Sequence, residues 1–453
     1  MSFVKTPPPA RITTIQPLPS ESLGALVVHG VSSGAEVRAL CVAIDSSETL
    51  RTPWQASDSA IVILGLKPGS SYVIQVEQLY DGRTVPGQTV DYAVPPLPIG
   101  LQQVSISMTG NLSGGYSMAP IGGIDGHGYL IIFDSVGIIR WFRDFGSQVV
   151  FATTQQKNGH ITAFVGSSTG FNAASGTYVE VTRSGDSVRS ISALGSDYTD
   201  PHELLQSFDR DGNRRADYLF GYSFRTFDRT QIGGGPSDAI AVHQLLRINL
   251  TGTVDTLIAG DEQWGPADDV APPLIADLDH PNSIDFDFDG GVIVSYRNLS
   301  AIVKVNSRTY QFAWQFGGTH NQFTLIGDPF GGFDSQHTAR VLPSGHLLIF
   351  DNGWNHSPQQ SRAVEYAIDT VAKTATMVWQ YSADPPIFND FTGSAQRLEN
   401  GNTVVAFTRH GTVDEVAPDG TLLGRATIES ARGRIATPYR VTRVKSLYSF
   451  ERP

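Results

Sequence analysis

Four of the eleven histidines occupy corresponding positions in a repeated pattern of short strands. Each is expected just before or within the innermost strand of its unit: His202 in DPHELLQ, His280 in DHPNSIDFD, His337 in SQHTARVL and His410 in AFTRHGTVDE. Separations of 57 to 78 residues between them are too long for a local metal motif. In a ring of repeated units, however, such positions converge on one axis. The pattern therefore predicts a cluster of imidazoles that could act as nucleophile, acid or base near neutral pH.

An arginine accompanies one of these histidines. Arg362 begins the strand SRAVEYAID, and Asn352 lies in IFDNG on the neighbouring strand. Because a guanidinium offers a planar fork of donors that suits a tetrahedral oxyanion, arginine with several histidines predicts a pocket for a sulfuryl or phosphoryl group. A salt bridge between Arg362 and Glu365 is the alternative interpretation.

Two metal sites are open as further interpretations. Zinc or copper could bind several imidazoles, with Asp279 and Asp285 near His280 as supporting carboxylates. The loop FDRDGNRRADYL also offers oxygen ligands that could hold a structural calcium ion: Asp209, Asp211, Asn213 and Asp217. A plain Asp-Gly hairpin turn explains that loop equally well.

Turn glycines that interrupt paired apolar runs recur from about residue 101, at a mean spacing near 55 residues. They are Gly128, Gly159, Gly212, Gly290, Gly345 and Gly401. Each unit contains about four strands and no helical segment, which is typical of a six-bladed β-propeller over residues 99–453. We expect the terminal stretch RIATPYRVTRVKSL to close the ring by pairing near residues 100–110, and long loops near 226–240 and 260–276. A stack of unrelated hairpins is the alternative.

A separate module precedes these repeats. Residues 21–98 contain about seven short alternating strands, typical of an immunoglobulin-like or fibronectin III-like β-sandwich, so the fold class is all-β. Within it, LKPGSSYVIQV resembles the segment in which a tyrosine, here Tyr72, ties a loop to the backbone. The Pro-rich residues 1–20 are expected to be extended and poorly ordered. An edge of the sandwich could pair with a second copy in a homodimer.

Composition disfavours several classes of function and partner. The net charge is −12, with 32 Lys and Arg against 44 Asp and Glu, which disfavours binding to nucleic acid or to an anionic membrane. The single cysteine, Cys41, excludes an internal disulfide and a cysteine-based zinc cage, and we expect it to be buried. No signal peptide or membrane span is found. The chain as given is expected in the cytoplasm, or in the periplasm or outside the cell if a signal was removed.

Three segments carry a family resemblance: HPNSIDFDFDGGVIVSYRNLSAIVKV, SQHTARVLPSGHLLIFDNG followed by SRAVEYAID, and GSAQRLENGNTVVAF. Together they cover about residues 280–410 and resemble the PAPS-independent arylsulfotransferases (arylsulfate sulfotransferases). The resemblance implies a six-bladed propeller with an N-terminal β-sandwich. It also implies sulfuryl transfer from an aryl sulfate donor to a phenolic acceptor through a sulfated histidine, with no nucleotide donor and no required cofactor.

The motifs of this family assign roles to individual residues. The resemblance implies that His280, His337 and Arg362 are catalytic. It places the nucleophile in the following blade, where His410 is the only histidine. In the implied mechanism a neutral imidazole attacks sulfur, and a protonated one gives its proton to the departing phenolate.

Substrate contacts are expected around this catalytic set. His202, Asn352 and Trp354 are predicted to bind substrate, and Trp264 and Phe391 are further candidates to contact an aryl ring. Two other functions remain open, namely a propeller lyase or hydrolase that uses the same pocket for acid-base chemistry, and a non-catalytic binding protein.

Overall fold

The protein is described by a computed structural model that defines residues 8–18, 23–31, 35–122, 125–167, 175–270, 277–430 and 438–448. The fold is all-β, and four of the eight sheets among these residues contain four antiparallel strands. The described helices are single turns: α1 (Ile99–Gln102), α2 (Gly260–Gln263) and the 3-10 turns Thr230–Ile232, Pro266–Asp268 and Thr408–His410. None of them is long and apolar enough to cross a membrane.

Eight strands form two N-terminal sheets. They are β1 (Arg11–Pro17), β2 (Gly24–Gly30), β3 (Glu36–Ala43), β4 (Thr49–Arg51), β5 (Gln55–Ala56), β6 (Ile61–Leu64), β7 (Ser71–Tyr80) and β8 (Arg83–Ala93). One sheet has the order β1-β2-β6, and the other has β4-β3-β7-β8 with β5 beside β3. Burial alternates along β3 and β7, because one face of their sheet packs on the core.

Two predictions for this region are confirmed. Cys41 is buried in the shared core of the two sheets. The Tyr72 hydroxyl accepts a hydrogen bond from the backbone N–H of Lys67 at 3.0 Å and donates one to Glu48 at 2.5 Å. The expectation of disorder at the N-terminus is wrong for part of it, because Arg11–Pro17 pairs with β2. Residues 1–7 and 19–20 of the Pro-rich segment lie outside the described residues.

Six further sheets follow, which we call sheets I to VI. Their strands in chain order are β9 (Val104–Gly110), β10 (Tyr116–Gly122), β11 (Gly128–Asp134), β12 (Ile139–Asp144), β13 (Val149–Gln155), β14 (Ile161–Gly166), β15 (Gly176–Val181), β16 (Ser187–Ile191), β17 (Tyr198–Phe208), β18 (Arg214–Phe227), β19 (Asp238–Asn249), β20 (Val254–Ala259), β21 (Pro281–Phe286), β22 (Val292–Tyr296), β23 (Ala301–Val305), β24 (Phe312–Gly317), β25 (Thr324–Ile326), β26 (Ala339–Val341), β27 (Leu347–Asp351), β28 (Arg362–Asp369), β29 (Thr374–Tyr381), β30 (Ser394–Arg397), β31 (Thr403–Phe407), β32 (Thr412–Val416), β33 (Leu422–Ser430) and β34 (Thr442–Val444).

The six sheets form a closed ring. Sheet I contains β10, β11, β12 and β34, sheets II to IV contain the next twelve strands in order, sheet V contains β25 to β29, and sheet VI contains β30 to β33 with β9. Neighbouring sheets share hydrophobic cores all the way round, including sheets VI and I. Second strands such as VIVSY and TVVAF are buried along their whole length because both faces of their sheets are covered. This arrangement is consistent with a β-propeller.

The turn glycines lie two residues before the second of the paired strands in five of the sheets. Their φ angles lie between 80° and 87°, a left-handed conformation that glycine adopts without a steric penalty: Gly159, Gly212, Gly290, Gly345 and Gly401. In sheet I the glycine in this conformation is Gly126, whereas Gly128 already lies in β11. Because β34 precedes β10 in the order of sheet I, β11 is the third strand of that sheet, and the predicted repeat is therefore correct for five units and out of register by one strand in its first unit.

Ring closure differs from the expected pairing. The C-terminal strand β34 pairs with Tyr116–Met118 of β10, while Val104–Gly110 pairs with β33 of sheet VI. The predicted loop near 226–240 is confirmed for residues 228–237, which include the 3-10 turn Thr230–Ile232, whereas β18 and β19 pair as far as Phe227 and Asp238 on either side of it. The loop near 260–276 contains α2 and a 3-10 turn, and residues 271–276 lie outside the described part of the chain.

Candidate active site

His280 is held by a carboxylate directly before the first strand of sheet IV. Its Nδ1 lies 2.5 Å from Oδ2 of Asp277, and its backbone N–H donates to carboxylate oxygens of Asp277 and Asp279. These bonds support a left-handed backbone at His280, with φ of 50°, which is unfavourable for a residue with a side chain. With Nδ1 engaged by Asp277, Nε2 is the nitrogen left for chemistry.

His202 is held in the same way in sheet III. The pairing of β17 with β18 shifts register between Thr199 and Leu204, and His202 lies in this irregular segment. Its Nδ1 lies 2.9 Å from Oδ1 of Asp200. The His202 ring lies edge-on to the His280 ring, with centroids 4.5 Å apart.

His337 is the third member of the cluster and precedes β26, an edge strand of sheet V. Its Nδ1 bonds to the backbone carbonyl of Gly393 in sheet VI at 2.9 Å. Its ring centroid lies 6.4 Å from that of His202 and 5.0 Å from that of Tyr439. The structure therefore brings three of the four histidines of the sequence pattern together in what we call the imidazole cluster, His202, His280 and His337.

A fourth buried histidine, His243 on the third strand of sheet III, was not predicted. Its Nδ1 lies 2.7 Å from Asp279, and its Nε2 lies 3.2 Å from the second oxygen of Asp200. A continuous chain of contacts thus runs from His202 through Asp200 and His243 to Asp279. His243 does not occupy a position that recurs in the repeats. The feature of the sequence that could have indicated its role is the DLDH segment, whose two carboxylates contact its ring.

Burial and neighbouring charges set the protonation of these imidazoles. Burial lowers the pKa of His280 to about 4, with contributions from His202 and Arg297, although Asp277 opposes the change. Burial, Arg440 and His202 lower the pKa of His337 well below its usual value. Burial also disfavours a charge on His243, but the carboxylates of Asp277, Asp279 and Asp200 raise its pKa well above 6.5. At neutral pH, His280 and His337 are therefore neutral and His243 is a cation.

Arg362 is not part of the imidazole cluster. It is completely buried, and its Nε donates to Asp351 and its Nη2 to Asp328, both at 2.8 Å. Its Nη1 donates to Gln380. The guanidinium that was predicted to bind an oxyanion is thus occupied by protein acceptors. The alternative pairing with Glu365 is not formed either, because Glu365 pairs with an arginine of sheet VI and with His346.

His410 also lies apart from the cluster. It follows the second strand of sheet VI, on a 3-10 turn, rather than the first strand. Its side chain is exposed, and its Nε2 bonds to the carbonyl of Phe388 at 2.9 Å. The expected register is wrong here because the TRH segment ends β31 instead of beginning a new unit.

The predicted substrate contacts are dispersed. Asn352 is buried and donates to two carbonyls of the 389–392 loop. Trp354 is half-buried and packs against Phe388 with ring centroids 5.6 Å apart. Trp264 belongs to the hydrophobic core between sheets III and IV, whereas Phe391 lies beneath the Arg409 guanidinium at 4.2 Å.

The carboxylates proposed as metal ligands or supports mostly have other partners in the structure. Asp209 accepts turn N–H groups of its own hairpin, whereas Asp217 is buried against Arg189 and Arg214, so the proposed calcium ligands do not share one site. Asp285, a suggested supporting carboxylate, bonds to the backbone N–H of Val341 instead of a histidine.

One group among the described residues places three potential metal ligand atoms within 4.8 Å: His243, Asp277 and Asp279. His243 already bonds to Asp279 at 2.7 Å, and its Nδ1 lies 3.5 Å from Asp277. The imidazoles of His202, His280 and His337 do not form such a group, so their nitrogens are farther apart than the ligands of one metal ion would be.

Comparison with known proteins bears on this site. Residues 256–434 match the arylsulfotransferase (ASST) family model. The family resemblance seen in the sequence is thereby confirmed. The matched region, about two fifths of the chain, includes His280 and His337, whereas His202 and His243 lie before it. A search of curated proteins gives no match.

Solved structures show weak similarity to the chain. A protein of unknown function from Bacteroides caccae is 12% identical, covers 74% of this chain and 100% of its own, and has a TM-score of 0.44. A catalytically inactive virginiamycin B lyase from Staphylococcus aureus, determined with quinupristin, is 10% identical over 71% of this chain and 99% of its own, with a TM-score of 0.37. A streptogramin B lyase is 11% identical over 79% and 90%, with a TM-score of 0.34.

Proposed function

We propose that this protein transfers a sulfuryl group from a phenolic sulfate ester to a phenolic acceptor, without PAPS, through a sulfohistidine at His280. The observation that carries this proposal is a buried, neutral imidazole, held at Nδ1 by Asp277, in a cluster of three histidines. This imidazole lies in the segment that matches the ASST family. The match to the ASST family model supports the reaction class, and the geometry supports the choice of nucleophile.

The first half-reaction forms the sulfohistidine. Nε2 of His280 attacks sulfur, so that a nitrogen–sulfur bond forms and the ester oxygen–sulfur bond breaks. Asp277 stabilises the positive charge that develops on the ring, because its carboxylate already contacts Nδ1. The departing phenolate takes a proton from a second imidazole of the cluster in its protonated form, for which His202 beside His280 is the best placed.

The second half-reaction reverses these steps with a new phenol. The acceptor hydroxyl gives its proton to His202, and its oxygen attacks sulfur while the bond to His280 breaks. The proton balance closes, because His202 loses one proton in the first half and regains one in the second. His337, whose pKa lies well below the usual value, stays neutral and can donate no charge-assisted hydrogen bond, so its role is to line the site.

His410 is not the nucleophile in this proposal. Its exposed ring on the 3-10 turn of sheet VI makes no contact with the imidazole cluster among the residues described. The role that the family resemblance gave to the following blade therefore passes to His280. Arg362 is likewise omitted from the chemistry, since its donors are bonded to Asp351 and Asp328.

The proposal also includes a division into two domains. We interpret residues 21–98 as an immunoglobulin-like or fibronectin III-like sandwich and residues 99–453 as a six-bladed propeller that carries the site. In support, no strand pairing joins β1–β8 to β9–β34 within the described ranges. The closed order of sheets I to VI, with β34 in the first and β9 in the last, supports the propeller.

Intact-protein mass spectrometry with 4-nitrophenyl sulfate tests the reaction and its nucleophile. The wild-type protein should gain about 80 Da, the mass of one sulfuryl group, and lose it when phenol is added. The His280→Gln variant should gain nothing, and a control, His346→Gln, should behave like the wild type because His346 lies on a hairpin outside the cluster. An adduct that persists in His280→Gln would refute the assignment. Nitrophenolate release without an adduct would favour a hydrolase.

A further inference from the structure

A second arginine, Arg297, borders the imidazole cluster and has unused donors. It follows β22 in the turn that leads to β23, and its backbone N–H donates to the carbonyl of His280 at 3.0 Å. Its side chain is only 3% exposed. The guanidinium is near enough for its charge to disfavour protonation of His280. Arg297 is therefore a buried cation beside the imidazole that we propose as nucleophile.

The hydrogen bonds of Arg297 are incomplete. Its Nη1 donates to Asn298 at 3.0 Å, but Nε and Nη2 are buried without a partner in the described part of the chain. Buried unpaired N–H groups of a charged side chain are rare, because each forfeits its hydration. The Nε–H and the adjacent Nη2–H form the side of the guanidinium that binds two oxygens at once. This edge is the one left open.

Two other buried arginines, Arg362 and Arg440, lack this feature. The same edge of Arg362 is filled, since Nε bonds to Asp351 and Nη2 to Asp328. Arg440 bonds to Glu203 through Nη1 and to the carbonyl of Asn282 through Nη2, which leaves only Nε. Among these three buried guanidiniums, Arg297 alone can offer a parallel pair of donors without breaking a protein contact.

Carboxylates surround Arg297 at a distance. Four of them favour its charged form, namely Asp277, Asp334, Asp269 and Asp390, but none forms an ion pair with it. They maintain the positive charge of a side chain whose burial disfavours that charge. They do not bond to Nε or Nη2, so these two donors can bind a ligand that presents two oxygens in the geometry of a carboxylate or a sulfuryl group.

We propose that Arg297 is the residue that binds the sulfuryl oxygens of the substrate, through Nε and Nη2, beside His280. This inference rests on the proposed function, and it assigns to Arg297 the contact that the sequence pattern gave to Arg362. The fork would hold two of the three non-bridging oxygens while sulfur passes from the phenol oxygen to His280. The charge on those oxygens then stays beside a fixed cation throughout the transfer.

Sulfate binding and turnover test the proposal in four full-length proteins. They are the wild type, Arg297→Lys, Arg297→Gln and the control Arg308→Gln, which changes an exposed arginine on the next hairpin of sheet IV. Calorimetric titration with sodium sulfate, at an ionic strength held constant with sodium chloride, measures anion binding. Initial rates with 4-nitrophenyl sulfate and phenol measure kcat and KM.

Both Arg297 variants should bind sulfate at least about tenfold more weakly and lose about a hundredfold in kcat/KM, since two charge-assisted hydrogen bonds are lost. The lysine variant keeps the positive charge, so its loss of sulfate binding and of kcat/KM measures the contribution of the paired Nε and Nη2 donors. The control should match the wild type. Sulfate binding and turnover that are unchanged in folded Arg297 variants would overturn the proposal while the proposed function stands.

Two further outcomes separate this inference from the proposed function. Sulfate binding that depends on Arg297, in a protein that releases no nitrophenolate, would keep the site and overturn the proposed function. If the Arg297 variants do not fold, a wild-type crystal soaked in sulfate decides the question. Sulfate oxygens within hydrogen-bond distance of Nε and Nη2 would support the proposal, and sulfate elsewhere or none would overturn it.

Discussion

Lowering the pH from about 7 to about 4.5 tests whether His280 is neutral in the folded protein. Its usual pKa is 6.5, and burial with its neighbours lowers this to about 4. Between these two values the unfolded chain binds a proton that the folded protein does not, so the stability falls as the pH falls. Each unit of difference between the two pKa values corresponds to about 1.4 kcal/mol. The free energy of unfolding can therefore fall by at most about 3 kcal/mol because of this one histidine.

Two other buried histidines with shifted pKa values also affect the pH dependence of stability, one in the same direction as His280 and one in the opposite direction. His337, whose folded-state pKa is also low, destabilises the folded state in the same direction as His280. His243 has a raised pKa, so its stabilising contribution is complete below about pH 6.5 and is lost only as the pH rises through its folded-state value. A comparison of the wild type with His280→Gln therefore isolates His280.

Urea unfolding at several pH values measures the effect. The free energy of unfolding of the wild type should fall by about 2 to 3 kcal/mol more than that of His280→Gln over this range. The acid limb of kcat/KM for 4-nitrophenyl sulfate should lie near pH 4, because the free enzyme needs His280 unprotonated. Parallel loss of stability in both proteins, or an acid limb near 6.5, would refute the reasoning. In Asp277→Asn the limb should move lower still, because the carboxylate that favours protonation is gone.

Three other substitutions have defined outcomes. Arg362→Met should destabilise the protein by roughly 3 to 5 kcal/mol, measured by urea unfolding, because Asp351 and Asp328 lose their buried partner; an unchanged midpoint would contradict this. Tyr72→Phe should cost about 1 kcal/mol through the loss of its loop hydrogen bonds, with no change in kcat/KM. His410→Ala should leave the formation of the sulfuryl adduct at the wild-type rate, and loss of the adduct would return the nucleophile to sheet VI.

The architecture was largely predictable because repetition leaves a periodic signal. Gly290, Gly345 and Gly401 lie in turns that need a left-handed backbone, so their spacing reports the sheets directly. Position in the repeat also predicted that His202, His280 and His337 would meet, since each lies in or just before a first strand. The partner predicted for the C-terminal strand is wrong by one strand, because the sequence of a short terminal strand does not specify which strand it pairs with.

Individual side-chain contacts were less predictable. His243 lies on a third strand and reaches the site only because β19 carries it beside Asp279. The partners of Arg362 include Asp328, which is 34 residues earlier in an irregular segment. Arg297 has no sequence signature, since its open edge becomes visible only when the partners of each guanidinium nitrogen are known. Hydrogen bonds between distant segments decide which polar residues are available, and a single sequence does not encode these as a pattern.

The ring is closed by the C-terminal strand β34 in sheet I and by β9 in sheet VI, so it can be completed only after the end of the chain has been synthesised. Sheet I emerges early but lacks its fourth strand until Thr442–Val444 has been made, whereas β9 must wait for β33 before it can pair. During translation, Tyr116–Met118 and Val104–Gly110 thus expose unpaired strand edges for as long as the intervening residues take to emerge. Pairing across more than 300 residues also slows the final step, because the loop to be closed is long. A chain that stops before residue 442 would leave the ring open at sheet I.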